Sequence, residues 1–220
     1  MLLQIPQIFN PSLLNELKVA MAKVDFKPVL NDNSQIQHYQ LPLNSIESKY
    51  FGQQVLQALQ ANALFISSAI PNRIFPPIFK KFQEGQGHAT KIESALKHDL
   101  ENGVRIRQDL SATIFLSDLN EYQDGELVIE DNYGTHKIKL PAGDMIMYPS
   151  SSLHFLKPIT QGSRITINIA IESMIRQDNQ RTILFDMDTT IRSLVRENPE
   201  HEAVPQLSGI YHNLLRMWID

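Results

Sequence analysis

The sequence of 220 residues contains no cysteine. That absence excludes disulfide bonds, zinc sites built on thiolates and cysteine nucleophiles. No basic block interrupts the mixed charges, whose formal sum is −4, so the charge pattern favours neither nucleic acid nor an anionic membrane as a partner. No stretch approaches the roughly 20 apolar residues that span a bilayer, and polar residues interrupt the N-terminal segment where a secretory signal would lie. We therefore expect a cytoplasmic protein.

The hydrophobic period divides the chain into three parts. Asn10 followed by Pro11 is typical of a helix cap, and apolar residues recur at helical spacing after it and over 45–62. The period then changes to two, and helical spacing returns at about 178–196 and 209–219. The prediction is one domain over 1–220, with N-terminal helices over about 1–72, a β core over about 73–175 and C-terminal helices over about 176–220.

The β core shows the clearest alternation in the run 164–172. Its four isoleucines share one strand face, whereas Arg164, Thr166 and Asn168 share the other. Residues 126–130 and 136–140 flank a turn-forming segment and predict a hairpin. Glycines at 143 and 162 predict further breaks between strands. Many short strands with close turn signals predict a sandwich or jelly roll.

Two residues of this core are candidates for chemistry. His154 follows an apolar strand and lies ten residues before Arg164. Imidazole binds metal ions and guanidinium binds carboxylates in a two-pronged manner, so the pair suits a metal with an anionic co-ligand. The same spacing is also explained by a half-buried histidine bonded to backbone and an arginine paired with a surface acid.

Longer matched segments indicate a family. The chain resembles the PKHD-type hydroxylases, which are Fe(II)- and 2-oxoglutarate-dependent dioxygenases, along nearly its whole length. The segments that carry the resemblance are 75–79, 107–117, 125–134, 139–144, 148–154 and 207–216. The resemblance implies a double-stranded β-helix with flanking helices (α+β), an oxidoreductase activity, and Fe(II) and 2-oxoglutarate as cofactors.

The resemblance also implies site residues. The family binds iron with a His-x-Asp pair and a distal histidine, and His154 matches that distal histidine. Arg164 matches the arginine that binds the far carboxylate of 2-oxoglutarate. A gapless alignment places the His-x-Asp pair on Lys91-Ile92-Glu93, so Lys91 replaces the histidine ligand and Glu93 replaces the aspartate. Phe82 stands where the family has a tyrosine.

These replacements have physical consequences. A lysine ammonium has no lone pair and repels a cation, and the extra methylene of Glu93 moves its carboxylate. Residues two apart on a strand face the same way, so Lys91 is expected near Glu93 and His154. A solvated Lys91–Glu93 pair on an edge strand accounts for the same residues without a site.

Two other histidines, His88 and His98, are candidates for a replacement ligand. His88 lies three residues before Lys91, so on a regular strand it faces differently. His98 and Asp99 lie in a segment, 97–103, that is predicted to be a polar loop. We expect the remaining histidines to be surface or structural residues, namely His38, His136, His201 and His212.

Three functions are compatible with these residues. In the first, an altered, weakly active or non-catalytic homologue binds a small dicarboxylate or a protein partner in the inherited pocket. In the second, an active hydroxylase uses Glu93, His154 and an unexpected third ligand. In the third, the helices within 178–219 form a scaffold or homo-oligomer surface, which requires a large apolar face there.

Overall fold

The structure is a computed structural model that describes residues 1–30, 34–99, 103–131 and 134–219. Within these ranges the helices are α1 (Pro11–Met21), α2 (Ile46–Ala61), α3 (Ala63–Ala69), α4 (Asp178–Glu197) and α5 (Ala203–Trp218). The strands of the first half are β1 (Leu3–Ile5), β2 (Lys27–Leu30), β3 (Ile36–Gln40), β4 (Pro71–Ile74), β5 (Ile78–Gln83), β6 (His88–Lys91), β7 (Leu96–Asp99) and β8 (Val104–Arg107). Those of the second half are β9 (Leu110–Phe115), β10 (Tyr122–Asp124), β11 (Leu127–Asp131), β12 (Gly134–Ile138), β13 (Met145–Pro149), β14 (Leu153–Leu156) and β15 (Ile159–Ser173).

The first two helices begin where the sequence predicts. The side-chain oxygen of Asn10 accepts a hydrogen bond of 2.9 Å from the Leu13 amide, with Pro11 at the first helical position. Ser45 caps α2 in the same way through the Ser48 amide. Each cap satisfies an amide that the helix itself leaves unpaired. Both predicted helices are confirmed.

Strand β15 lies at the centre of the larger sheet, whose main strand order is β1-β13-β9-β15-β5-β3-β2. Ile167, Ile169 and Ile171 are at most 2% exposed and belong to a core shared with α1, α2 and α3. Burial of each such side chain stabilises the fold by about 1.5–3 kcal/mol. The predicted alternation of β15 is confirmed: its isoleucine face lies against the helices, and its polar face turns toward the second sheet.

The second sheet has the order β12-β11-β14-β6. It packs on the first through a buried cluster that includes Phe115, Ile129 and Tyr148. Strands β11 and β12 pair as the predicted hairpin, and residues 132 and 133 of its loop lie outside the described residues. Two facing sheets that enclose a lumen, with helices on the outer face, form the predicted double-stranded β-helix.

Several boundaries differ from the prediction. The segment 1–72 is not only helical, because β1, β2 and β3 join the larger sheet. The predicted break at Gly162 is wrong, since β15 runs through it. A Cβ on Gly162 would lie 2.1 Å from the Glu121 carbonyl oxygen, so glycine permits the close approach of β10. The predicted loop at 97–103 is wrong where it is described, because β7 pairs with β8.

The C-terminal helices pack beside α3. Buried Ile70, Ile175 and Leu184 contact side chains of α5, whereas Ile210 and Met217 remain 50% and 73% exposed. Both predicted helical segments are confirmed, and association of copies through them stays a prediction. None of the helices in the described ranges is long and apolar enough to cross a membrane.

Candidate functional site

The register of the strands places a set of side chains on the inner faces of the lumen. On β15 these are Arg164, Thr166 and Asn168, which lie on the face opposite to the buried isoleucines. Paired residues of antiparallel strands point to the same face of a sheet. On β5, Phe82 pairs with Arg164 and Lys80 pairs with Thr166. On β9, Phe115 pairs with Thr166 and Thr113 pairs with Asn168. These four residues therefore also face the lumen.

Lys91, Glu93 and His154 meet at the mouth of this lumen. Lys91 and His154 are paired across β6 and β14. The Oε1 atom of Glu93 lies 3.1 Å from Lys91 Nζ and 3.2 Å from His154 Nε2, and its Oε2 atom lies 3.9 Å from Lys97 Nζ. The side chain of Glu93 is 19% exposed and that of His154 only 2%. The residues selected by the gapless alignment are therefore neighbours in space, and the carboxylate is mostly shielded from solvent.

The charge of Glu93 is stabilised by its neighbours. Burial by itself raises the pKa of this carboxyl, but the hydrogen bond with His154 and the charges of Lys91 and Lys97 hold the pKa well below its usual range. Glu93 is consequently ionised at neutral pH, and its Oε1 atom is shared between an ammonium and an imidazole.

Both ring nitrogens of His154 face oxygen acceptors. Nδ1 lies 3.1 Å from the Ser152 carbonyl oxygen and Nε2 lies 3.2 Å from Glu93 Oε1. A neutral imidazole has one N–H and can donate to only one of them, whereas a metal ligand requires a lone pair directed at the ion. The arrangement around His154 therefore suits hydrogen bonding to Glu93.

The donor set at the mouth does not fit an iron ion. Non-haem Fe(II) is bound by two imidazoles and one carboxylate on one side of the metal. Within the described ranges, no three His, Cys, Asp or Glu side chains are grouped so that they could hold a metal ion. The third position of the expected set is Lys91, which as an ammonium supplies no lone pair.

His88 faces the lumen, contrary to the prediction. Its ring lies edge-on to that of His154, with centroids 5.7 Å apart. The reason is an irregularity in β6: His154 and Leu156, two residues apart, pair with Lys91 and His88, which are three apart. Such a bulge returns the extra residue to the same face. Burial, with a smaller contribution from the charge of Lys91, lowers the pKa of His88 to about 4.

Arg164 is a buried cation, 3% exposed, deeper in the lumen. Its guanidinium lies 4.9 Å from the ring centroid of Phe115 and 5.9 Å from that of Phe82. Its Nε and Nη2 atoms have no hydrogen-bond partner among the residues that the structure describes. Burial lowers the pKa of Arg164, and the nearby Tyr122 opposes that shift. The alternative of a surface ion pair for Arg164 is therefore wrong, and its buried donors are available to an anion.

Lys80 is a lumen residue that the sequence analysis missed. It is half-buried, and burial together with the charges of Lys91 and Lys97 lowers its pKa to about 8, against the attraction of Glu93. Only the pairing of Lys80 with Thr166 shows that it, rather than Lys81, faces the lumen. Two adjacent lysines carry no signal in sequence that distinguishes one from the other.

The free space in the lumen is small. The lumen contains two cavities of about 30 Å³ each, and four residues line both of them: Lys80, Glu93, Tyr148 and Asn168. A space of that size holds about one water molecule. A ligand of several heavy atoms therefore requires some of these side chains to move apart.

The other predicted residues lie outside the site. His98 is exposed on β7, and the side chain of Asp99 lies outside the described part of the chain. His38 is buried and stacked on Phe82, with ring centroids 5.3 Å apart, and burial and the charge of Lys80 lower its pKa to about 3. Phe82 therefore packs between His38 and Arg164. The other three histidines make local contacts, His136 with Asp131, His201 with Ala203 and His212 with Tyr211.

Solved structures with the same architecture define the class of fold. A Pseudomonas putida prolyl-4-hydroxylase is 13% identical, with a TM-score of 0.56 over 78% of this chain and 92% of that one. The non-haem α-ketoglutarate-dependent carbocyclase SnoK is 11% identical, with a TM-score of 0.58 over 79% of this chain and 80% of that one. HygX of Streptomyces hygroscopicus, solved with nickel, 2-oxoglutarate and hygromycin B, has a TM-score of 0.54 at 13% identity, over 80% and 84% of the two chains. The fold is that of the 2-oxoglutarate-dependent oxygenases.

Similarity of sequence is more specific. A PKHD-type hydroxylase of Beijerinckia indica is 40% identical over 225 residues, covering 100% of both chains. A PKHD-type hydroxylase of Bordetella pertussis is 39% identical over 225 residues, again with full coverage of both. Residues 178–220 match the PKHD-type hydroxylase C-terminal domain. The chain belongs to the PKHD-type hydroxylase family.

Proposed function

We propose that this chain binds a small anion of the dicarboxylate class, such as 2-oxoglutarate, in the lumen without an iron ion, and that it is a weakly active or non-catalytic member of its family. The observation that carries the proposal is the contrast between the two ends of the site. At the mouth, the Lys91 ammonium lies 3.1 Å from Glu93 Oε1, and the gapless alignment assigns Lys91 to the position of a metal ligand. Deeper in the lumen, the buried donors of Arg164 are unpaired in the described chain.

The balance of charge supports an anion. Four cationic side chains, Lys80, Lys91, Lys97 and Arg164, interact around one carboxylate, Glu93. Their positive potentials add around Glu93, although the side chains of Lys91 and Lys97 are 42% and 30% exposed, so solvent screens these two more than it screens buried Arg164. An anion that enters this lumen is therefore stabilised, and a divalent cation is opposed.

Three of these four cations have distinct roles in binding the anion. The planar fork of Arg164 binds one carboxylate through two parallel N–H donors. The ammonium groups of Lys80 and Lys91 attract the second carboxylate toward the mouth, where the family keeps its metal. Glu93 keeps Lys91 in place through their ion pair, and must move or share Lys91 when an anion is bound.

Calorimetric titration with 2-oxoglutarate in a metal-free, chelated buffer tests the proposal. We expect saturable binding in the millimolar range or tighter, weakened as salt rises because the interactions are ionic. Lys91→Ala is expected to weaken binding about 10-fold. Lys81→Ala, on the opposite face of β5, is the matched control and is expected to bind like the parent. A parent that binds no dicarboxylate at millimolar concentration rules the proposal out.

A second candidate function, an active hydroxylase, is favoured by the inward position of His88. Its ring stands next to that of His154, so His88, Glu93 and His154 together would supply two imidazoles and a carboxylate. The required change is that Lys91 leaves Glu93 and that His154 turns its lone pair to the ion.

Metal content separates the two candidates. We expect the parent, purified without chelator, to contain well under one equivalent of Fe(II) or Mn(II), and either ion to raise its melting temperature little, since a ligand stabilises only the state that binds it. Near one equivalent of metal that is lost in both His154→Ala and His88→Ala supports the hydroxylase instead. His136→Ala, at the protein surface, is the control for a general effect of histidine removal.

A further inference from the structure

Lys80, on β5, lines both cavities of the lumen. Lys97 lines one of these cavities with it, and Lys91 and Arg164 line the other. The strand partner of Lys80 is Thr166, on the polar face of β15, and this pairing directs the lysine side chain into the lumen. A molecule that enters either cavity therefore meets the Lys80 amine.

The charges around Lys80 oppose its protonation. Three cations, Lys91, Lys97 and Arg164, act on the Lys80 ammonium against one carboxylate, Glu93. That carboxylate is already shared, since its Oε1 atom lies 3.1 Å from Lys91 Nζ and its Oε2 atom lies 3.9 Å from Lys97 Nζ. Burial adds to the repulsion and lowers the pKa of Lys80 to about 8. A desolvated lysine beside other cations is a nucleophile toward carbonyl carbons.

The walls around Lys80 also contain proton donors. Tyr148 lines both cavities, and its burial raises the pKa of the phenol, so the hydroxyl stays protonated and can donate to a ligand oxygen. Lys97 lines one of the cavities, and its side chain is 30% exposed. An ammonium at that position can release a proton into the lumen and regain it from solvent. The nucleophile and an acid thus line the same space.

We propose that Lys80 forms a reversible imine with the keto carbon of a 2-oxo acid in the lumen. The inference rests on the proposed function, because the ligand enters the same lumen, and adds a covalent step to it. The class of ligand follows from two features of the site. A lysine amine reacts with a carbonyl carbon, and the cations around Lys80 attract a carboxylate next to that carbon.

The reaction is a condensation that needs no oxidant or reductant. The lone pair of Lys80 Nζ forms a bond to the keto carbon, the carbonyl π electrons pass to the oxygen, and a proton moves from the nitrogen to that oxygen. The C–O bond of this carbinolamine then breaks, and the oxygen leaves as water with a proton from the Lys97 ammonium. The nitrogen lone pair forms the C=N bond of a protonated imine, which water hydrolyses by the reverse path.

Reductive trapping is the direct test. The parent is incubated with 2-oxoglutarate and cyanoborohydride in chelated buffer, which converts an imine into a stable secondary amine. We expect intact mass to show one main adduct per chain and fragment mass to locate it on Lys80. Glutarate, which has both carboxylates but no keto group, is expected to give no adduct. In titration it is expected to bind about 10-fold more weakly than 2-oxoglutarate, because it forms no bond to the protein.

Lys80→Arg and Lys81→Arg form a matched pair of variants. Lys80→Arg keeps the positive charge but presents a guanidinium that stays protonated, so the adduct is expected to fall about 10-fold or more. The preference for 2-oxoglutarate over glutarate is expected to disappear with it. Lys81→Arg, on the opposite face of β5, is expected to give the yield of the parent. Melting temperatures show whether both variants fold, and fragment mass of the parent decides the question if Lys80→Arg does not.

Pyruvate, a 2-oxo acid with a single carboxylate, separates this inference from the proposed function. If the parent binds no dicarboxylate but pyruvate gives an adduct on Lys80, the proposed function fails and the imine stands. If 2-oxoglutarate binds and neither acid labels Lys80 more than Lys81, the imine is overturned and the proposed function stands. Absence of both binding and selective labelling overturns both.

Discussion

The double variant Lys91→His, Glu93→Asp is expected to bind close to one equivalent of Fe(II) or Mn(II), at least 100-fold more tightly than the parent. The variant places an imidazole opposite His154 on β6 and a shorter carboxylate two residues further, which together form the two-histidine, one-carboxylate set. It also removes the ammonium that lies 3.1 Å from the carboxylate. Metal analysis after desalting, with the melting temperature in added metal, measures the gain.

Two controls define what that gain means. The single variant Lys91→His is expected to gain part of the affinity, whereas Lys81→His, on the outer face of β5, is expected to gain none. Turnover is not required, since groups behind the ligands orient them and Phe82 supplies no hydroxyl. A folded double variant that takes up no more metal than the parent contradicts the placement of the family's His-x-Asp pair on residues 91 and 93.

Arg164→Ala is expected to abolish measurable 2-oxoglutarate binding while leaving the ligand-free protein folded. Each hydrogen bond to a charged group contributes about 1.5–3 kcal/mol, so loss of a two-pronged contact weakens binding by two orders of magnitude or more. The ligand-free protein loses a buried cation whose Nε and Nη2 atoms have no partner in the described chain, at the cost of a cavity beside Phe115. Titration and thermal unfolding of the same preparation measure both effects.

Arg105→Ala is the matched control for that variant. Arg105 is exposed on β8, so its loss removes one positive charge from the surface without opening the lumen. Binding is expected to stay within about threefold of the parent. Equal 2-oxoglutarate affinity in Arg164→Ala and the parent would place the anion site elsewhere in the molecule.

Much of the fold was predictable because local chemistry and tertiary packing agree there. The Asn10–Pro11 cap and the isoleucine alternation of β15 are each visible in a few consecutive residues of the sequence. The strands that escaped prediction were β1, β2, β3 and β7, each of three to five residues. So short a run gives too little period-two signal, and pairing with a neighbour decides its conformation.

The site was predictable only in part, because strand pairing decides which of its residues meet. The proximity of Lys91, Glu93 and His154 followed from alignment and strand periodicity, and the structure shows these side chains in contact. Their roles toward a metal or an anion remain predictions. The inward orientation of His88 was not predictable. It depends on an irregularity in the pairing of β6, and the neighbouring residues carry no sequence signal for that irregularity.

The sequence by itself determined the family, the terminal helices and the β core between them, because these properties depend on residue type and spacing along the chain, and it predicted which residues occupy the metal-binding positions. Only the tertiary structure decided that Lys80 faces the lumen and that Arg164 is buried there, with Nε and Nη2 unpaired among the described residues. Strand register and burial depend on contacts between residues far apart in sequence, and the hydrogen bonds that a buried group lacks can be identified only once all its neighbours are in place.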